Sequence, residues 1–432
     1  MEMLMPCTRC EQEIQIERYN SYQSNSPCMK LIAVLITLCI LDGSAAALSL
    51  PPVSPLFPPA RPDLVYVSSF EGGHRLQAGD YPVIVLSGTF RQMGRQYGAL
   101  MKAELNEEYR VISSAYEKRG YSNEQLRADG REASVLYSKR LKEVFSGMAE
   151  TSGLTQDEVL ALYNGLVIYL MVPPADASCS YLSAWGNYTA DGSVIASRNW
   201  DLDDVALPFN KWNVLVVYRP SDGSNGVATF GPAGVRAETV MNSKGLFIAD
   251  DFAGFIDPAQ DTRPDLVAEF FRFMLDYSNL AELDVGLRGS ATNIGWIVNV
   301  AGPGGASVYE VTPNQTRQRT GDGVVAAANH FVDPAWNLPP PAEHSASRYD
   351  GLLREADEAK GSIDARRMMQ IRDVRWEDGG ATFVNSVLSP DHPEELYSTI
   401  HQVVFLPESR TVWIKDPDSA WQRVDLGMLF GE

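Results

Sequence analysis

The chain is predicted to be an α+β protein with helices layered on extended sheets. Residues 66–172 carry mainly helical patterns, the pattern changes abruptly to short strand-like runs after Ala177, and strands and helices then alternate to the end. Hydrophobic residues make up 45% and charged residues 21% of the 432 positions, which suits a globular chain able to bury a large core.

Taken in order, Leu48 to Pro62 is proline-rich and aperiodic, and reads as a linker, with folded structure starting near Tyr66. Pro82–Gly88 is a short apolar strand, and Met93–Tyr116 has helical spacing. Ser122-Asn-Glu-Gln125 and Thr155-Gln-Asp-Glu158 have the form of capping boxes, so each announces a further helix; Pro173-Pro174 ends the second. Ser180–Tyr188 and Ser193–Trp200 read as strands joined through Asp191-Gly192, a hairpin signal. Further strands are expected at Trp212–Tyr218, Val227–Phe230, Leu246–Ala249, Asn293–Val300, Ser307–Val311, Val324–Ala328, Ile400–Leu406 and Thr411–Lys415. Helices are expected at Pro264–Tyr277, Ser345–Ala359 and Ser362–Val374.

Met29 to Ala47 has a lysine, an apolar run from Leu31 to Leu41 and a small-residue site at Ala45-Ala46-Ala47, the form of a secretory signal peptide. The run is about half of what a membrane-spanning helix needs, so no stable membrane insertion is expected once the signal is removed. Residues 1–28 then read as a mis-assigned start or a polar extension, and the protein is expected to be exported, periplasmic or extracellular. The formal charge of -19, with no basic run, disfavours nucleic acid and anionic membrane surfaces.

Cys7, Cys10 and Cys28 precede the signal and Cys39 lies within it, so the exported part contains one cysteine, Cys179. It can form no internal disulfide, and its reactivity becomes the question. A thiol nucleophile needs a base. One solution is a histidine, for which His330 and His401 are open candidates in an uncleaved Cys-His hydrolase. The other is the cysteine's own α-amine, whose pKa near 7.7–8.0 lets it act as a base at neutral pH. That solution requires a cut between Ser178 and Cys179, with the upstream helical segment as a propeptide.

Cys179-Ser-Tyr-Leu-Ser-Ala-Trp-Gly-Asn-Tyr-Thr-Ala-Asp-Gly-Ser-Val-Ile-Ala-Ser-Arg198-Asn-Trp-Asp201 resembles the core of the acyl-coenzyme A:6-aminopenicillanic acid acyltransferase family, related to choloylglycine hydrolases. Gly88-Thr-Phe-Arg-Gln-Met-Gly94-Arg-Gln-Tyr-Gly98, Met241-Asn242-Ser-Lys-Gly245-Leu246, Ala328-Asn329-His330-Phe331, Ser347-Arg348-Tyr349 and Ile400-His401-Gln-Val-Val-Phe405 are similar too, in family order, from about residue 82 to 415.

The resemblance implies a four-layer αββα N-terminal-nucleophile hydrolase sandwich over 179–432, with residues 66–178 as a helical pro-segment. It implies self-cleavage after Ser178, Cys179 as nucleophile, Arg198 beside the sulfur, Asp201 holding the amine, Asn329 donating to the oxyanion and Arg348 supporting the site. A second oxyanion donor is implied shortly after Gly245-Leu246, where relatives carry asparagine and this chain has Ala249-Asp250-Asp251; a carboxylate donates only when protonated. The substrate implied is a small molecule with a linear amide or acyl group, hydrolysed or transferred through a Cys179 thioester, with no cofactor and no metal. A secreted binding protein on the same fold is the alternative from another class.

A two-residue turn at Asp191-Gly192 sets Arg198 opposite Trp185, on the face of Cys179, while Asp201 falls opposite Leu182 on the other face and needs a bulge or bend to come round. Apart from the resemblance, Arg198 and Asp201 read as a surface ion pair at a strand end, Asn329 as a turn residue, His330 as a packed histidine, and Trp185 and Trp200 as core.

Overall fold

The computed structural model describes residues 64–170, 178–254, 256–260, 262–388 and 396–431. The expected signal peptide and linker, and Pro173-Pro174, lie outside the described residues.

The described residues open with strands β1 (Val65–Phe70), β2 (Gly73–Ala78) and β3 (Tyr81–Gly88), so the stretch expected as mainly helical contributes sheet as well. Helices α1 (Phe90–Leu100), α2 (Lys102–Lys118), α3 (Asn123–Ser134), α4 (Lys139–Ser152) and α5 (Gln156–Leu170) follow. Ser122 and Gln125 form the expected capping box, and Thr155 and Glu158 bond reciprocally in the same way.

Next come β4 (Ser180–Ala184), β5 (Ile195–Asp203), β6 (Asn213–Pro220), β7 (Val227–Pro232), β8 (Thr239–Asn242) and β9 (Phe247–Phe252). After α6 (Phe270–Asp276) and α7 (Leu280–Gly289) the chain forms β10 (Trp296–Gly302), β11 (Gly305–Val311), β12 (Thr316–Arg319) and β13 (Val324–Ala327). It ends with α8 (Glu343–Glu358), α9 (Ala365–Asp373), β14 (Ser386–Val387), β15 (Leu396–Leu406), β16 (Thr411–Lys415), β17 (Gln422–Asp425) and α10 (Leu426–Phe430).

The strands make a ten-stranded sheet, β1-β2-β3-β6-β7-β8-β9-β10-β11-β12, and a seven-stranded sheet, β13-β4-β5-β15-β16-β17 with β14 on β15. Side-chain alternation assigns the faces. Val83 and Val85 of β3 pack against the second sheet with Tyr181, Ala196, Val403 and Phe405, whereas Ile84 and Leu86 face a cluster that takes in α1, α2, α4, α5, α6 and α7. On the second sheet, Leu182, Ile195 and Val404 face Leu352 of α8 and Met368 of α9. Each fully buried side chain of this size contributes about 1.5–3 kcal/mol.

The glycine-spaced element after β3 has a packing reason. A Cβ on Gly94 would stand 2.1 Å from the Val144 carbonyl oxygen, and one on Gly147 2.1 Å from that of Arg91, so α1 and α4 meet backbone to backbone.

The hairpin carrying Cys179 and Arg198 differs from expectation. Residues 185–194, including a 3₁₀ turn at Gly186–Tyr188, separate β4 from β5, and Arg198 pairs with Tyr181 rather than Trp185. The shift is an even number of residues, so Arg198 keeps the face of Cys179. Asp201 is not swung round by a bulge in β5; the irregular step falls in β15, between Thr399 and His401.

Candidate active site

Cys179 immediately precedes β4 and is buried. Its sulfur lies against β5, the neighbouring strand. Arg198, one strand over and wholly buried, reaches between the sheets: Nη1 donates to Thr239 Oγ1 at 2.8 Å, and Nη2 donates to the Asp250 carbonyl and to Glu238 Oε2 at 3.3 Å. The same Nη2 lies 3.6 Å from Cys179 Sγ. Burial pushes the thiol pKa well up, the Arg198 charge pulls it down, and the Asp251, Glu238 and Asp201 carboxylates push it up again.

From the opposite side comes Arg348 of α8, with all five of its N–H groups directed by the fold. Nε donates to the His344 carbonyl at 3.0 Å, one turn back on the same helix. Nη1 donates to the backbone carbonyls of Ser178 and, at 2.6 Å, Cys179. Nη2 donates to Asn329 Oδ1 at 3.0 Å and faces His344 Nδ1 at 3.5 Å. Because arginine only donates, His344 Nδ1 is the acceptor there. Burial first, then Arg348, lowers the His344 pKa to about 4, which keeps that ring neutral.

Asp201, wholly buried, accepts from Thr399 Oγ1 through Oδ1. Its Oδ2 stands 3.9 Å from Arg348 Nη1 and carries no hydrogen bond. Burial raises its pKa to about 7, against the opposing pull of Arg348, Thr399, Arg372 and Arg198.

Asn329 follows β13. Arg348 holds its Oδ1, which turns Nδ2 to the Phe252 carbonyl at 2.8 Å. A flipped amide would set donor against donor, so Arg348 fixes which end of the amide donates.

Asp251 lies on the face of β9 turned to the second sheet. Its Oδ2 accepts from Asn299 Nδ2 at 2.8 Å, and its Oδ1 stands 4.0 Å from Arg198 Nε, neither of these last two atoms having a hydrogen-bond partner. Burial raises its pKa to about 6, offset by Arg198 and the Asn299 hydrogen bond. Asp250 points to the other face and is raised further, by burial and then by Glu238.

The structure thus brings Cys179, Arg198, Asp201, Asn329, Arg348 and Asp251 into one connected group. The histidines are arranged otherwise. His330 Nδ1 shares a hydrogen bond with Ser345 Oγ at 2.7 Å, and the His401 ring lies against Trp200 and Phe230 at 5.1 and 4.9 Å. Among the described residues the hydrogen-bond contacts of Cys179 Sγ are Arg198 Nη2 and, at 4.0 Å, the Asp201 carbonyl. Trp200 is buried core, and Trp185 packs against the core between the sheets.

Thr239, Glu238, Asn299, His344 and Thr399 complete the surroundings and were not singled out in the sequence. Thr239, Glu238, Asn299 and Thr399 are ordinary polar residues 40 or more positions from their partners, so no local pattern marks them, whereas His344 stands one helical turn from Arg348 and was marked only by that spacing. An apolar cavity beneath α1, α4 and α5, lined by Tyr97, Phe145, Tyr163 and Tyr218 among others, includes none of the grouped residues. Among the described residues no set of three or more His, Cys, Asp or Glu side chains could hold a metal ion.

No family model and no curated protein matches the chain. Among solved structures it is similar to penicillin V acylase from Agrobacterium tumefaciens, with a TM-score of 0.42 and 13% identity over 57% of this chain and 86% of that one. It is also similar to a variant of conjugated bile acid hydrolase from Clostridium perfringens, with a TM-score of 0.42 and 14% identity over 59% of this chain and 95% of that one. A second mutant of the same hydrolase has a TM-score of 0.41 and 15% identity, over 59% and 94% of the two chains.

Proposed function

We propose that the chain is an exported, self-processing thiol amidohydrolase or acyltransferase that acts on linear amide carbon–nitrogen bonds through an acyl-thioester at Cys179. The observation that carries this reading is the Ser178–Cys179 junction. A buried thiol lies 3.6 Å from a guanidinium, the carbonyl preceding it accepts from a second guanidinium, and a buried carboxylate beside them has an oxygen with no hydrogen bond. Two facing sheets, with helices packed on the outer side of each, support a four-layer αββα sandwich.

In this reading, cleavage after Ser178 gives Cys179 a free α-amine with an ordinary pKa near 7.7–8.0. The amine takes the thiol proton, and Asp201, through Oδ2, holds the ammonium that forms. Arg198 stabilises the thiolate as it attacks the substrate carbonyl carbon. The oxyanion takes the second Nδ2 hydrogen of Asn329, a contribution of roughly 3–4 kcal/mol in comparable sites. The ammonium then protonates the departing amine, leaving an acyl-thioester that water hydrolyses or a second amine takes up. The α-amine of Cys179 and the side chains around it supply these steps. The partner is a small-molecule amide; the acidic chain disfavours nucleic acid, and among the described residues no helix is long and apolar enough to cross a membrane.

Intact mass and N-terminal sequencing of protein expressed from Met29, alongside Cys179→Ala, test the reading. Two chains, one beginning at Cys179, with the variant uncut, are expected. An uncut wild type would reject the maturation and return weight to a Cys-His hydrolase or a binding protein.

A further inference from the structure

Given the self-processing just proposed, on which what is said here rests, the bond that is cut joins Ser178 to Cys179. In the uncut chain Arg348 Nη1 donates to the carbonyl oxygen of Ser178, the oxygen on which negative charge would develop when Cys179 attacks. The remaining N–H groups of the same guanidinium are taken up by the Cys179 and His344 carbonyls, Asn329 Oδ1 and His344 Nδ1. Arg348 is wholly buried, so its charge acts with little screening by water. A donor set held in place before reaction, in a dry environment and aimed at the atom that becomes anionic, is the arrangement that stabilises an oxyanion without reorganisation.

We propose that Arg348 is the oxyanion-binding catalytic residue of self-cleavage, distinct from Asn329, which serves the later attack on substrate. Sγ of Cys179 forms a bond to the Ser178 carbonyl carbon, and the C=O π electrons move onto the oxygen held by Arg348. Collapse of this intermediate breaks the bond to the Cys179 nitrogen, which receives the proton lost by the thiol. The product is a thioester joining Ser178 to Sγ, with a free α-amine. Water then attacks the thioester carbonyl, releasing the Ser178 carboxylate and restoring the thiol.

Arg372 provides an internal comparison. It is equally buried and contacts the same hairpin, but through Ser180 and Ser197, not through the Ser178 carbonyl.

The test uses the full chain from Met29, made in a cell-free reaction and chased at pH 6, where Asp201, with a pKa raised to about 7, stays largely neutral if Arg348 is replaced. Conversion is followed by intact mass for wild type, Arg348→Lys, Arg348→Met and Arg372→Lys, and melting is measured for each in a Cys179→Ala background. Wild type is expected to convert, Arg348→Met to slow by about 100-fold or more, as on loss of one oxyanion donor, and Arg348→Lys by about tenfold, while Arg372→Lys converts within about threefold of wild type.

Folded Arg348→Lys converting at the wild-type rate would overturn the proposal, and this variant decides the matter if Arg348→Met does not fold. Equal slowing in Arg372→Lys at equal melting temperature would overturn it too, by making the effect structural. A wild type that never converts removes the self-processing reading itself, an outcome distinct from both.

Discussion

At the scale of the residue, burial makes the charges around Cys179 consequential. A cation 3.6 Å from a thiol in water would be largely screened, but Arg198 is wholly buried and opposes the burial that raises the thiol pKa. Arg198→Lys, which replaces a planar fork holding Thr239, Asp250 and Glu238 with a single ammonium, is expected to lower alkylation of Cys179 by iodoacetamide at pH 7 by about tenfold. The pH–rate profile should move to higher pH, and an unchanged profile would show that Arg198 does not tune the thiol.

The carboxylates give a second expectation. Burial raises Asp201 to about 7 and Asp251 to about 6, above the ordinary aspartate value of about 3.9. Between these limits the folded chain holds protons that the unfolded chain has lost. Their contribution to stability is therefore full below about pH 4 and falls as pH rises through 6 and 7, with a slope of at most about 1.4 kcal/mol per pH unit for each group. In the Cys179→Ala background, Asp201→Asn should flatten that fall in urea titrations between pH 4 and 7. An identical slope would mean that Asp201 titrates normally.

At the scale of the element, α1 and α4 approach backbone to backbone at Gly94 and Gly147, beside the large side chains that they bury in the core. Gly94→Ala would put a Cβ 2.1 Å from the Val144 carbonyl oxygen, which only a backbone shift can relieve. A loss of about 1–3 kcal/mol is expected, within the range for overpacked cores. Thermal melts of the Cys179→Ala chain with and without Gly94→Ala would measure it, and an unchanged midpoint would show that α1 and α4 slide apart freely. The β4–β5 hairpin teaches a related lesson about register. A connection of 185–194 rather than a two-residue turn moves Arg198 from Trp185 to Tyr181, and the pleat tolerates that because the shift is even.

At the scale of the whole molecule, the segment before Cys179 is built into the larger sheet. β3 runs parallel to β6 from Val83–Leu215 to Gly88–Pro220, and β2 and β1 extend the same sheet from its other edge. Helices α1 to α5 bury residues in the cluster shared with β6, β8 and β10. After a cut at Ser178 the upstream piece is therefore expected to remain bound as a subunit. The two pieces should coelute in size-exclusion chromatography under native conditions and separate only in denaturant; separation without denaturant would mean that the sheet pairing does not hold them.

By itself the sequence determined most strands and helices after residue 82, because hydrophobic period and capping chemistry are local, as at Ser122 and Thr155. It also singled out Cys179, Arg198, Asp201, Asn329 and Arg348, through short motifs arranged along the chain. The tertiary structure alone decided how they meet. Asp201 stays on its own face and is reached by Arg348 from α8, and Asn329 takes its orientation from that same guanidinium. It also decided that strands β1 and β2 complete a sheet, and that Asp251 is matched by Asn299 forty-eight residues away. These are long-range contacts whose partners carry no local signature, and what selects them is the burial of charge, which requires every donor and acceptor in the site to be considered together.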